Sequence, residues 1–256
     1  MDELIENWLR EEAEPFNGWD FSQLRGRWVE DDPPWSYEEM ARAALAGANC
    51  AVDLGTGGGE RLAELADAFP RRMFATEAYL PNLSVARDRL APDGVVVVAY
   101  GSDDVVGGPL PFQSGSIETV LARHEGYGAS EVARVLAQGG VFLTQQVHGR
   151  SLEDLRREFG VVGSLEVTLE RSVAELRAAG LSIEVAEEWW GASVFRDVGA
   201  IVRFLNVAPW EVPGFSVRRH DAVLRALQRR LEREGELRYR IGRFVVRARK
   251  PRGRVA

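Results

Sequence analysis

Two apolar rhythms alternate along the chain from Asn49 to Glu188. Short runs such as "CAVDL" and "VVVVAY" are followed by stretches in which apolar positions recur every three to four residues. That alternation predicts strands separated by helices, and so a parallel sheet covered on both faces. Strands are expected near 50–54, 72–76, 95–100, 117–122, 140–147 and 181–187, with helices near 59–68, 81–90, 128–137, 151–158 and 171–179. "AQGG" at 137–140 and "AAGL" at 178–181 read as glycine stops between a helix and the next strand. Two segments break the rhythm. Residues 1–48 form an N-terminal extension whose "DDPPWSYEEMARAAL" sets a proline turn before a helix, and residues 189–235 form an insertion before a last strand at "IGRFVVRARK". The expected division is therefore a helical extension (1–48), a core (49–188), a cap insertion (189–235), and the last strand with a basic tail (236–256).

All seven tryptophans fall in the two outlying segments. They read either as glue between those segments and the sheet, or as the wall of a substrate pocket under a lid. In the second reading Trp210 and Phe215, on the proline-stiffened "NVAPWEVPGF", would face substrate.

The chemistry concentrates in "CAVDLGTGGGERLAEL", residues 50–65. A strand, an acid and then G-x-G-x-G bring bare backbone close to a nucleotide-like ligand. A dinucleotide site wants G-x-G-x-x-G, and counting from Gly55 puts Glu60 where the third glycine should stand. Asp53 ends the strand, where a carboxylate can accept from an ammonium group or order the turn. Glu77, at the end of the second strand, can take both hydroxyls of a ribose, and Asp103 after the third can accept from an adenine amino group.

Taken together, "VDLGTGGGE", "TEAY", "GSDD…LPF…SIETVLARHE" and "EVARVLAQGGVFLTQQV" resemble successive motifs of the class I S-adenosylmethionine-dependent methyltransferases, over roughly residues 49–188 and the last strand. "RHEGY" and "FRDVGAIVRFL…APWEVPGF" are further similar to a bacterial subgroup with a methyltransferase-11-like core. The resemblance implies a Rossmann-like three-layer αβα sandwich with a seven-stranded, mostly parallel sheet, its last strand antiparallel, plus the helical cap. It also implies S-adenosyl-L-methionine as cofactor. Gly55, Thr56 and Gly57 would meet its methionine part, with Asp53 and Gly59 in the same turn, and Glu77 and Ala78 would meet its ribose. Asp103 would meet adenine, while Leu110, Arg123 and His124 would close the site.

Methyl transfer from a sulfonium is an in-line displacement, so a general base helps only an acceptor with a proton to lose. His124 and Glu125 are the candidates, His124 with an ordinary histidine pKa; the alternative packs His124 against the cofactor and pairs Glu125 with an arginine such as Arg123. Gln145 and Gln146 alternate sides at the end of the fifth strand, so one should face the acceptor while the other satisfies backbone groups. His148 and His220 read as surface residues.

Composition narrows the partners. The first ten residues lack an apolar core, which predicts no secretory signal, and no apolar run approaches the length of a membrane span. Cys50 is the only cysteine, so neither an intrachain disulfide nor a cysteine metal cluster is available. The expectation is a cytoplasmic protein without a metal. Net charge is −7, yet residues 217–256 carry 14 basic and 4 acidic groups, leaving +10 there and −17 elsewhere. RNA methylation through that basic region is thus an alternative to a small-molecule acceptor. A helix at 218–233 with Val223, Leu227 and Leu231 inward would make its arginines a solvated face, which argues against it. A third alternative is a cofactor-binding protein without catalysis.

Overall fold

The computed structural model describes residues 2–15, 22–100, 108–163 and 166–253. In chain order the elements are α1 (Glu3–Ala13), β1 (Trp28–Glu30), α2 (Tyr37–Leu45), β2 (Cys50–Leu54), α3 (Glu60–Ala63), β3 (Arg72–Glu77), α4 (Leu80–Leu90), β4 (Val96–Ala99), β5 (Ile117–Arg123), α5 (Ala129–Val135), β6 (Leu136–Val147), α6 (Glu153–Glu158), α7 (Leu169–Ala178), β7 (Ser182–Phe195), α8 (Val198–Val207), α9 (Asp221–Glu234) and β8 (Leu237–Arg249). The sheet has eight strands in the order β1-β7-β8-β6-β5-β2-β3-β4. β2 to β6 run parallel to their neighbours, β8 lies antiparallel to β6, and β1 antiparallel to β7. The eighth strand, absent from the expected seven, is β1, whose Trp28, Val29 and Glu30 pair with Phe195, Val194 and Ser193.

The chain divides into two compact units: Met1–Pro33, Gly149–Leu165 and Trp189–Gly242 form one, and Pro34–His148, Glu166–Glu188 and Arg243–Ala256 the other. These boundaries fall elsewhere than composition suggested. Residues 34–48 join the second unit because Ala41, Ala44 and Leu45 of α2 pack with Leu62, Leu83 and Leu143. Residues 149–165 join the first because Leu152 and Leu155 pack with Phe195 and Ile201.

In the second unit the period-2 rule of a strand assigns each face. Ala51, Leu121, Leu143 and Val245 meet α2, α3 and α4, whereas Val52, Val120, Phe142 and Phe244 meet α5 and α7. Both faces are buried, giving the three-layer αβα sandwich. The "AQGG" segment does not stop a helix here: β6 already begins at Leu136. Gly139 takes φ +79°, its N–H donating to the Lys250 carbonyl at 2.9 Å. The Lys250 ammonium donates to the carbonyls of Ala133 and Leu136 at 2.7 and 2.8 Å, closing the end of α5. The helix expected at 59–68 is interrupted too, α3 ending at Ala63 before a short 3-10 turn at Ala66–Ala68.

Helices are the commonest regular elements of the first unit. Trp8, Phe195, Ile201, Leu205, Leu224 and Leu227 form its core. α9 turns Leu224 and Leu227 inward, while Val223 and Leu231 are only partly covered, so its buried stripe is rotated from the expected one. Arg156 and Glu211 form a buried ion pair at 2.8 Å. Among the described residues, no helix is long and apolar enough to cross a membrane.

Candidate functional site

β2 is flanked by β3 and by β5, so the direction of travel across the sheet reverses there. At such a switch point the carboxyl ends of the strands open a crevice. Register sets those ends level, with Asp53 beside Leu121, Leu54 beside Ala122, and Arg123 beside Gln145.

The glycine turn leaves β2 in a left-handed conformation, with φ of +63° at Gly55, +61° at Gly57 and +80° at Gly59, which side chains disfavour. It is tied to β3: Gly55 N–H donates to Thr76 Oγ1 at 3.2 Å and Thr56 N–H to the Thr76 carbonyl at 2.9 Å. A β-carbon at Gly59 would stand 2.9 Å from Leu90 of α4. A β-carbon at Gly55 would strike the side chain of Glu125.

Three carboxylates surround this turn. Burial pushes Asp53 up to about 7, with Glu125 and Glu77 adding repulsion. Burial also raises Glu125, with Glu77 contributing. Glu77 is 7% exposed, and its Oε1 accepts from Tyr79 N–H at 2.7 Å, which fixes its rotamer. Arg123 does not pair with Glu125; its guanidinium lies over the ring of Tyr37, 5.6 Å from the centroid. Among the described residues, Arg123 Nε is buried without a hydrogen-bond partner, whereas Thr56 faces the Asp53 carboxyl and Tyr37 OH the Ala122 backbone. Glycine backbone, an unpartnered guanidinium N–H and acids in one crevice suit a ligand carrying both cationic and hydrogen-bonding groups.

His124 has φ +58°, a left-handed backbone unusual for a side-chain-bearing residue. Its imidazole is pushed down to about 3, chiefly by burial and then by Arg243 and Arg123. The residue itself is exposed, so what the surroundings set is the direction, toward the neutral ring. The ordinary pKa expected of it does not hold. Gln145, 4% exposed, faces the same side of the sheet as Arg123, and its Oε1 accepts from Trp35 Nε1–H at 2.8 Å. Gln146 points the other way and donates to the Glu125 carbonyl at 2.8 Å and Thr144 Oγ1 at 2.7 Å.

Leu110 is buried, with its N–H donating to Glu131 Oε2 at 2.7 Å, and Ala78 lies exposed beside Glu77. Asp103 lies outside the described residues. Trp210 is 52% exposed, and Phe215 stacks on His220 at 5.4 Å within the first unit. His148 is not a surface residue: it is 6% exposed, with Nε2 3.6 Å from Glu188 Oε2, because β6 and β7 carry the two into one neighbourhood. His220 is half-buried against Phe215 and Phe159. Sequence reasoning passed over Trp35, Tyr37 and Thr76; the "PPWSYEE" turn was the one signal for the first two. A groove of about 590 Å³ in the first unit, lined by Trp8, Glu11, Arg27 and Asp197, contains none of the candidates.

No family model matches the chain, and no curated protein does. Solved structures do match. A protein from Bacillus halodurans C-125 provisionally named a methyltransferase is 18% identical, over 84% of this chain and 99% of that one, with a TM-score of 0.60. The [4+2]-cyclase SpnF is 18% identical, over 98% and 94%, at a TM-score of 0.50. A geranyl diphosphate methyltransferase, solved with GPP and sinefungin, is 12% identical, over 84% and 77%, at 0.51. At such identities the likeness is one of architecture: this chain has the fold of the class I S-adenosylmethionine-dependent methyltransferases.

Proposed function

We propose that the protein is an S-adenosylmethionine-dependent methyltransferase acting on a small-molecule acceptor. The observation that carries this reading is the ring of Asp53, Glu77 and Glu125 around a left-handed glycine turn at the switch point of the sheet. Three carboxylates at one turn favour a cationic ligand, and a methyl-sulfonium with its amino group is one. Gly55, Thr56 and Gly57 would hold the methionine part, with Tyr37 and Arg123 supplying donors, and Glu77 would accept from the ribose hydroxyls. Bound there, the cofactor supplies an activated methyl group for in-line transfer. The chain's own part is to align the acceptor and exclude water, and alignment alone can contribute about 7–11 kcal/mol.

The basic region gives little support to an RNA acceptor. Arg225 pairs with Asp2 and Asp221, Arg230 with Glu158, Arg238 with Glu236, and Arg247 and Arg249 with Glu184. Arg240 lies 3.9 Å above the Trp190 ring. Cations already partnered this way have less to gain from phosphates.

Because a cyclase shares the fold, the test must read methyl transfer itself. Titration calorimetry should detect S-adenosylmethionine and S-adenosylhomocysteine but not NAD, and a methyl-labelled donor should pass label to small molecules in a metabolite extract. Binding of NAD alone would end the reading. Label appearing in RNA instead of small molecules would replace the acceptor, and cofactor binding with no label transfer would leave a non-catalytic binder.

A further inference from the structure

We propose that Trp35, Gln145 and His124 form a hydrogen-bond relay that locks His124 as a neutral imidazole with its proton on Nδ1, making it a fixed donor and not a base. The relay follows from what each group can do. An indole N–H only donates, so the atom of Gln145 that faces Trp35 Nε1 at 2.8 Å must be the amide oxygen. That choice turns the amide nitrogen of Gln145 towards His124 Nε2, 3.1 Å away. An amide NH2 also only donates, so Nε2 must accept and cannot carry the proton. A neutral imidazole then has its hydrogen on Nδ1. Protonating the ring would set Nε2–H against the amide N–H, donor against donor.

Backbone geometry keeps the relay in register. His124 N–H donates to the Gln145 carbonyl at 2.8 Å, so the two residues are joined by main chain and side chain alike. The left-handed φ of His124 is the kind of strained conformation that persists where its surroundings over-determine it. The charged groups around the ring agree with the neutral form: Arg123 from β5 and Arg243 from β8 both disfavour a cation there. Glu125, the adjacent acid, is turned onto Gly55 and not towards the ring.

Resting on the methyltransferase reading, this narrows the acceptor. Its nucleophilic atom must reach the site without a proton for His124 to remove, as a carboxylate oxygen or a free amine nitrogen does. The Nδ1–H is left to orient such a group, which makes His124 a positioning residue.

The chain has three histidines, which suits nitrogen-15 NMR of the folded protein. One imidazole, identified by its loss in His124→Gln, should show the proton on Nδ1 and should not titrate between about pH 5 and 8, unlike an ordinary histidine. Trp35→Phe frees the amide to flip, so the same ring should gain Nε2–H population and begin to titrate. Gln145→Glu offers Nε2–H an acceptor and should raise its midpoint further; chemical shifts elsewhere report that both variants fold. A wild-type His124 with its proton on Nε2, or titrating near 6.5, overturns the proposal, as does a tautomer indifferent to both substitutions. None of these readings needs turnover, so a failure of methyl transfer is seen separately. With turnover, kcat should lack a histidine limb in its pH profile.

Discussion

The side chain of Glu125 rests on the α-carbon of Gly55, filling the space a β-carbon would take. Two demands therefore meet at position 55, a left-handed φ and an open face. Gly55→Ala should cost about 1–2 kcal/mol from the backbone alone. It should also push Glu125 outward and weaken ligand binding. Urea unfolding and calorimetry on the same variant separate the two losses.

Glu77 is held by Tyr79 N–H before any ligand arrives, so its hydrogen bonds to a ribose need little reorganisation. Glu77→Ala should reduce S-adenosylmethionine affinity by about 1.5–3 kcal/mol, roughly 10- to 150-fold, as charge-assisted bonds are lost. Unchanged affinity would remove Glu77 from the site.

Asp53 gives a signed pH dependence. Unfolded, its carboxyl ionises near 4; folded, near 7. Between those values the folded state holds the extra proton, so stability contributed by this group falls as pH rises from about 4 to 7 and stays lowered above. The full shift corresponds to about 4 kcal/mol, and solvent access to the crevice reduces this to an expected 1–2 kcal/mol. Asp53→Asn should be more stable than wild type at pH 8 by that amount and should lose its advantage near pH 4. Equal urea midpoints at both pH values would contradict this.

In the first unit, Arg156 donates to Glu211 at 2.8 Å and to the Gly149 carbonyl at 2.9 Å, both side chains being about nine-tenths buried. Arg156→Met strands a buried carboxylate and should cost about 3–5 kcal/mol, whereas Arg156→Met with Glu211→Leu should recover most of it. A thermal unfolding cycle over the four proteins measures the coupling.

Phe215 and Trp210 should differ although they stand five positions apart. Phe215 stacks on His220 and meets Phe159 edge-on at 5.7 Å, so Phe215→Ala should cost about 2–3 kcal/mol, below the range for fully buried rings. Trp210, half exposed, should lose less on Trp210→Ala, about 1 kcal/mol.

The central sheet was legible because strands buried on both faces carry short unbroken apolar runs, as Cys50–Val52 and Val120–Ala122 do. β1 was not, since three residues, "WVE", give a period of two no room to show. Glu77 and the glycine turn stood out through local pattern. The environments of His124 and His148 did not, because they depend on partners far along the chain: Trp35 lies 110 residues before Gln145, and Glu188 is on β7. The burial of His148 and the contact of His124 with Gln145 are both tertiary. The boundary at 33/34 was hidden for the same reason, α2 being amphipathic without saying which core its apolar stripe joins.

Lys250 is the only lysine in the chain, and its ammonium is engaged by the carbonyls of Ala133 and Leu136, where α5 passes into β6. Amine-directed reagents therefore find one side-chain target, and that target is withdrawn while β8 stays docked against β6. An acylating label that modifies the α-amino group readily and Lys250 slowly would register each release of the C-terminal strand, so the molecule carries its own clock for the undocking of that edge.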